Sequence, residues 1–251
     1  MSHPADTVLP AGRRSEVLRQ SWSVGVATGA YGVSFGALSV AAGLSVLQTQ
    51  ALSLLMFTGG SQFAFVGIVA AGGLAAAPAA IATAALLGIR NGLYAIQDAL
   101  FLRVRGARRL AAAQLTIDES TAVGIAQPED AAKRLGFWHT GIAVFVFWNL
   151  ATLAGGLLGN ALGDPRRWGL DGAACAAFCA LVWPRLRSGD ARATAVLAAF
   201  IALAATPLLP AGVPVILAAA AAVVVGLWAH GRHERPLEGA DGELPGSDPV
   251  P

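Results

Sequence analysis

The run from Ala51 to Ala71 narrows the fold more than any other stretch of the chain. It is apolar over a length that crosses a bilayer at a rise of about 1.5 Å per residue. Yet Gly59, Gly60, Ser61 and Gln62 stand in its middle. A glycine pair weakens a helix, and the two residues after it bring hydrogen-bonding groups to a depth where hydrocarbon would lie. Irregular backbone there is tolerated only when it is buried in protein or lines a water-filled cavity, and discontinuous helices of this kind build the mid-membrane sites of many secondary transporters. Residues 56–63 therefore predict a discontinuous helix near Gly59 and Gly60, and a solute site built from Phe57, Gly59, Gly60, Ser61 and Gln62. The competing reading is packing, with the glycines letting two helices approach closely.

Composition sets the class. Of 251 residues 55% are hydrophobic and 13% charged, and the mean hydropathy of +0.61 excludes an ordinary soluble domain. The expected fold class is all-α, a polytopic transmembrane helix bundle. A formal net charge of +2 is too small to suggest nucleic acid, and the basic residues sit in short clusters between apolar runs. Cys175 and Cys179 lie one helical turn apart with no histidine or acidic partner at ligand spacing, so they read as packing residues rather than a metal site or a disulfide. No cofactor is expected. An enzyme is also disfavoured, since the chain carries neither an HExxH motif nor a Gly-x-Ser-x-Gly elbow. The first 20 residues lack the short apolar core and small-residue cleavage site of a removable signal.

About seven apolar spans follow from run length, within a transmembrane domain expected over residues 21–230. It is preceded by a cytoplasmic or flexible segment (1–20) and followed by a proline-rich, compositionally disordered tail (231–251). The first span, from about Ser23 to Leu47, carries Gly25, Gly29, Gly32, Gly36, Ser39 and Gly43 at intervals of three and four, a single-faced packing seam. Tyr31 and Ser34 are the residues of this span set aside as site candidates. The third span, about Pro78 to Ile96, contains Arg90 and Asn91 well inside the apolar run. An arginine there costs about 2.5–3.5 kcal/mol on insertion scales and usually faces the bundle interior or a water-filled cavity. Its planar fork suits a carboxylate, either a substrate's or the protein's own, unless the span ends early and the side chain reaches an interface.

Arg103, Arg105, Arg108 and Arg109 then form the densest basic cluster, which the positive-inside rule places in the cytoplasm. The segment 110–126 after it is apolar but interrupted by Asp118 and Glu119, which as helical neighbours cannot share one face; either one, if buried, is a candidate proton carrier, and if both lie at an interface they are a solvated pair. Further spans run from about Phe137 to Leu162, Leu170 to Trp183, Ala193 to Leu208 and Val213 to Trp228. The topology does not close on loop charges: three crossings before the Arg103 cluster would put Arg13, Arg14 and Arg19 on the opposite side from it. Either one of the first three segments is re-entrant, or segment 110–126 crosses and one cluster breaks the rule.

Two stretches together, Gly32-Val33-Ser34-Phe35-Gly36-Ala37-Leu38 with Ala41-Ala42-Gly43-Leu44-Ser45 after it, and Phe57-Thr58-Gly59-Gly60-Ser61-Gln62-Phe63, resemble the AzlC-type large subunits of branched-chain amino-acid exporters. The likeness extends over about residues 20–230, through Asp118-Glu119, the Gly169-Leu170-Asp171 entry to the fifth span and the closing hairpin. In the third span Arg90, Leu93 and Tyr94 match the family pattern, whereas Gly88 and Asn91 stand where it has asparagine and histidine. The resemblance implies a multi-pass protein of the bacterial inner membrane that exports leucine, isoleucine or valine by proton antiport. A small hydrophobic AzlD-type subunit would be its partner. The other reading is a channel or a non-transporting scaffold of a membrane complex.

Overall fold

The chain is described by a computed structural model, in which residues 9–162, 179, 182–183 and 186–233 are placed. Among these residues the secondary structure is helical throughout, with no strand. The structure divides into two units, residues 1–183 with 210–212, and residues 184–209 with 213–251.

The frame of the first unit is a pair of long helical columns. Helices α1 (Ala11–Gly29) and α2 (Tyr31–Ala41) follow one another through Ala30, which is itself helical. They lie along α8 (Asp130–Leu162). The seam accounts for the closeness. A methyl group on Gly32 would come within 2.6 Å of the Trp148 carbonyl oxygen, and one on Gly25, Gly29 or Gly36 would overlap Ala143, Phe147 or Thr152. Gly155 and Gly159 of α8 return the contact against Val33 and Ala37. Gly43 is not part of this seam. It holds φ 94° in the turn after α2, a left-handed backbone that glycine adopts without strain.

The next segment corrects a sequence expectation. Residues 51–71 do not cross: α3 (Val46–Leu55) runs inward along α8, the chain breaks over Met56–Thr58, and α4 (Gly59–Gly72) runs back out. Val46 lies beside Gly156 and Phe57 packs on Phe145, so α3 descends antiparallel to α8. Ile68 and Val69 near the far end of α4 then pack with Leu44, in the turn from which α3 set out. After a 3₁₀ turn at Gly73–Ala76, α5 (Ala77–Leu102) makes a full crossing of 26 residues. It ends beside Phe137, near the start of α8. Arg90 thus sits at mid-helix rather than at an interface.

From that face a second hairpin enters. Helix α6 (Ala107–Leu115) runs inward until Leu115 meets Gly141, the chain breaks at Thr116 and Ile117, and α7 (Asp118–Ile125) returns until Gly124 meets Phe137. Among the described residues of the first unit, three helical columns therefore run its full depth, α1–α2, α5 and α8, and two helical hairpins dip in from opposite faces. Both breaks stop at the middle of α8. This settles the conflict among the loop charges. Arg13 donates to Gln127 and pairs with Glu129, and Arg105 and Arg108 share a hollow with Arg134, so the amino-terminal, Arg103–Arg109 and Lys133–Arg134 clusters all lie on one face. On the opposite face the turns at 42–45 and 73–76 carry no charged residue.

Residues 11–20, part of the amino-terminal segment expected to be cytoplasmic or flexible, form the first turns of α1. The second unit pairs α9 (Gly189–Ala205), whose amino end is capped by Ser188 through the Ala191 amide at 3.1 Å, with α10 (Val213–His233). Cys179 is exposed and in no disulfide. Cys175, the Gly169–Asp171 entry and the tail from residue 234 lie outside the described residues.

Candidate binding site

Where the two hairpin tips meet there is a cavity of about 150 Å³. A dry apolar cavity of similar size holds a benzene molecule. From the first hairpin come Phe57, Thr58, Gly59, Gly60 and Phe63, from the second Ile117, Asp118 and Glu119, and from the frame Thr28, Tyr31, Val144 and Trp148. The two faces of this space differ in charge. On one side α4 begins at Gly59 after an extended Thr58, with no side chain capping it. The first amides of a helix have no intrahelical acceptor, and they carry the positive end of its dipole. Glycine at the first two positions leaves that end uncovered. On the other side α7 begins with Asp118 and Glu119, two carboxyls in the first turn.

Arg90 and Tyr94, one turn apart on α5, both reach Asp118. The guanidinium lies 3.0 Å from Oδ2, and the Tyr94 hydroxyl donates to Oδ1 at 2.7 Å. Arg90 thus holds one of the protein's own carboxylates, one of the two roles its position allowed. It does so directly behind Gly60: a methyl group there would come within 2.8 Å of Nη2. The Nε of Arg90 and the Oδ1 of neighbouring Asn91 are buried without a hydrogen-bond partner.

Ser61 and Gln62 take a different place from Gly59 and Gly60. Both are fully buried and neither lines the cavity. Ser61 Oγ donates to the Ala84 carbonyl at 2.9 Å, fastening α4 to α5. Gln62 Nε2 donates to the Met56 carbonyl at 2.8 Å and to those of Leu52 and Ser53 at 3.4 Å, while its Oε1 accepts from Trp148 Nε1 at 2.9 Å. One amide therefore adds a donor to the carbonyls just before the break, of which those of Leu52 and Met56 also accept backbone amides, and ties the break to α8. Buried polar groups need such partners, because leaving one unmade costs about 1–3 kcal/mol. Ser34 is half-buried on α2 and also stands away from the cavity.

The structure adds residues that were not set aside as site candidates: Trp148, Tyr94, noted only for its match to the family pattern, and above all Asp98. The last is 1% exposed within α5. Its Oδ2 accepts from Thr121 at 2.8 Å, and its Oδ1 is buried without a partner. The spacing of Arg90, Tyr94 and Asp98, at i, i+4 and i+8, places all three on one helical face, and that face meets α7. Among the described residues no cluster of histidine, cysteine and acidic side chains could hold a metal ion.

Comparison with known families bears directly on this geometry, because the AzlC protein family matches residues 23–162. The chain belongs to the AzlC family. The AzlC match begins within α1 and ends at the last residue of α8, so it takes in both hairpins and the whole cavity. No curated protein and no solved structure matches the chain. AzlC proteins are associated with branched-chain amino-acid transport rather than with catalysis, and the three long apolar columns make this chain a membrane protein.

Proposed function

We propose that the protein exports branched-chain or similar hydrophobic amino acids by proton antiport, together with a small hydrophobic AzlD-type subunit, across the bacterial inner membrane. The single observation that carries this reading is the polarity of the cavity between the hairpin tips. An amino acid is a zwitterion with an apolar side chain, and each part has a counterpart there. The substrate carboxylate sits at the uncovered amides of Gly59 and Gly60, where the α4 dipole favours an anion and Arg90 stands behind. Its ammonium faces Asp118 and Glu119. The side chain packs among Phe57, Phe63, Val144 and Trp148, with Tyr31 at the rim. Inverted hairpins meeting at mid-membrane suit alternating access, in which one hairpin opens toward its own face while the other stays closed.

Asp118, Glu119 and the buried Asp98 are the acids through which a proton would couple to this exchange. Ionisable groups within a span usually mark such paths. Placing the shared basic face in the cytoplasm follows the positive-inside rule. The test is efflux of preloaded labelled valine from cells that contain the AzlD-type subunit, with and without this protein. Faster efflux that depends on the proton gradient is expected; equal efflux in both would overturn the assignment.

A further inference from the structure

On the basic face, away from the cavity, α5, α6 and α8 enclose a separate hollow of about 780 Å³. Arg103, Arg105, Arg108 and Arg134 line it, over an apolar floor that includes Leu102, Val104 and Trp138. Residues 103–108, from the end of α5 into α6, and the sequence-distant Arg134 of α8 bring these four guanidiniums together. The backbone bends to allow it: Arg103 is the one non-glycine described residue with positive φ, at 50°, and Gly106 follows at 57°. Elsewhere on this face Arg13 is matched by Glu16 and Glu129, and Lys133 by Asp130. Among the described residues no carboxylate lines the hollow. Arg103, Arg105 and Arg108 make no ion pair among the described residues.

We infer that this hollow binds the phosphate of an anionic membrane phospholipid. Guanidinium forks match phosphate oxygens in pairs. A basic pocket between transmembrane helices on the positive face is a recurrent headgroup site. The apolar floor separates this site from one built for inorganic phosphate. Trp138 and Leu102 offer a surface for the glycerol backbone and the upper acyl chains. Tryptophan is favoured at the headgroup level for the same reason. The occupant would rest on α6, the entry arm of the hairpin that carries Asp118.

The experiment is thermal unfolding of the detergent-solubilised full chain during titration with phosphatidylglycerol, with phosphatidylcholine and inorganic phosphate as parallel arms. Phosphatidylglycerol is expected to raise the melting temperature at concentrations where the other two do not. The double variant R105Q/R108Q should need at least about tenfold more of it, since each lost contact is a charge-assisted bond. Arg14→Gln, on the same face but outside the hollow, should leave the titration unchanged. Stabilisation by phosphatidylcholine to the same degree, or equal weakening by Arg14→Gln, would reduce the effect to nonspecific lipid or diffuse charge and overturn the site. Inorganic phosphate matching the lipid would make it a soluble-phosphate site instead. Should the double variant not fold, Arg105→Lys/Arg108→Lys keeps the charge but loses the fork. It should bind more weakly than the parent, and an unchanged titration would count against the inference.

Discussion

The two hairpins are built alike and finished differently. Each enters from its own face, breaks at mid-depth, and starts its returning helix with a serine at the third helical position, Ser61 in α4 and Ser120 in α7. The two residues before that serine are Gly59 and Gly60 in one and Asp118 and Glu119 in the other. Ser120 Oγ accepts from the Ile117 amide at 3.1 Å and the acids sit on the helix dipole, so the α7 end is neutralised from within. The α4 end has no such cover, and Ser61 is turned away to α5. The lesson is that one tip presents uncapped amides and the other two carboxyls. The gap between them is polar at both ends and apolar along its sides.

The largest effect should come from filling the uncovered end. Gly60→Val places a side chain against Arg90 and over the first amides of α4. Loss of two charge-assisted contacts of about 1.5–3 kcal/mol each predicts valine efflux reduced by about two orders of magnitude. Amounts of inserted protein close to those of the parent, judged by membrane immunoblot, would locate the defect in binding. Next comes making the tips alike. Gly59→Asp gives α4 the acid that α7 already has, and should raise the KM for efflux at least about tenfold through repulsion of the substrate carboxylate. An unchanged KM would mean that the carboxylate does not sit there.

Asp118→Asn is expected to act on both stability and coupling. The ion pair with Arg90 is partly exposed, 26% and 17% at the two side chains, so it falls between surface pairs and fully buried ones. A double-mutant cycle of Asp118→Asn with Arg90→Ala, read by thermal unfolding, should return a coupling of about 1–2 kcal/mol. The same Asn variant should make efflux less dependent on the proton gradient. The smallest effect belongs to Ser120→Ala, which removes the α7 cap. It should lower stability by about 1 kcal/mol and leave valine affinity nearly unchanged.

Much of the frame was legible in the chain because it rests on periodicity. Glycines three and four apart predicted a packing seam on the first span, though not that α8 is its partner, and the polar interruption near Gly59 predicted a break. What length could not reveal is direction. Two half-helices of ten and fourteen residues around a short break add up to the apolar length of one crossing, so a segment that turns back reads like one that goes through. Charge pattern held the missing information, since the clusters at Arg13 and Arg103 agree only if a hairpin intervenes. Meeting of the tips was not legible at all. Gly60 and Asp118 come together through α5 and α8, and no local spacing encodes that approach. Gln62 and Ser61 were visible as polar residues in a greasy run, but whether such a group serves a guest or its own backbone depends on tertiary partners.

The glycine seam has a mechanical consequence. With backbone resting on backbone along Gly32, Gly36 and Gly155, α2 and α8 have no side-chain cushion through which one could ratchet a turn along the other. They must travel as a single plank. Whatever swings during a transport cycle is left to α5 and the two dipping hairpins, and the hinges belong where their backbones already abandon the helix, at Met56–Thr58 and Thr116–Ile117.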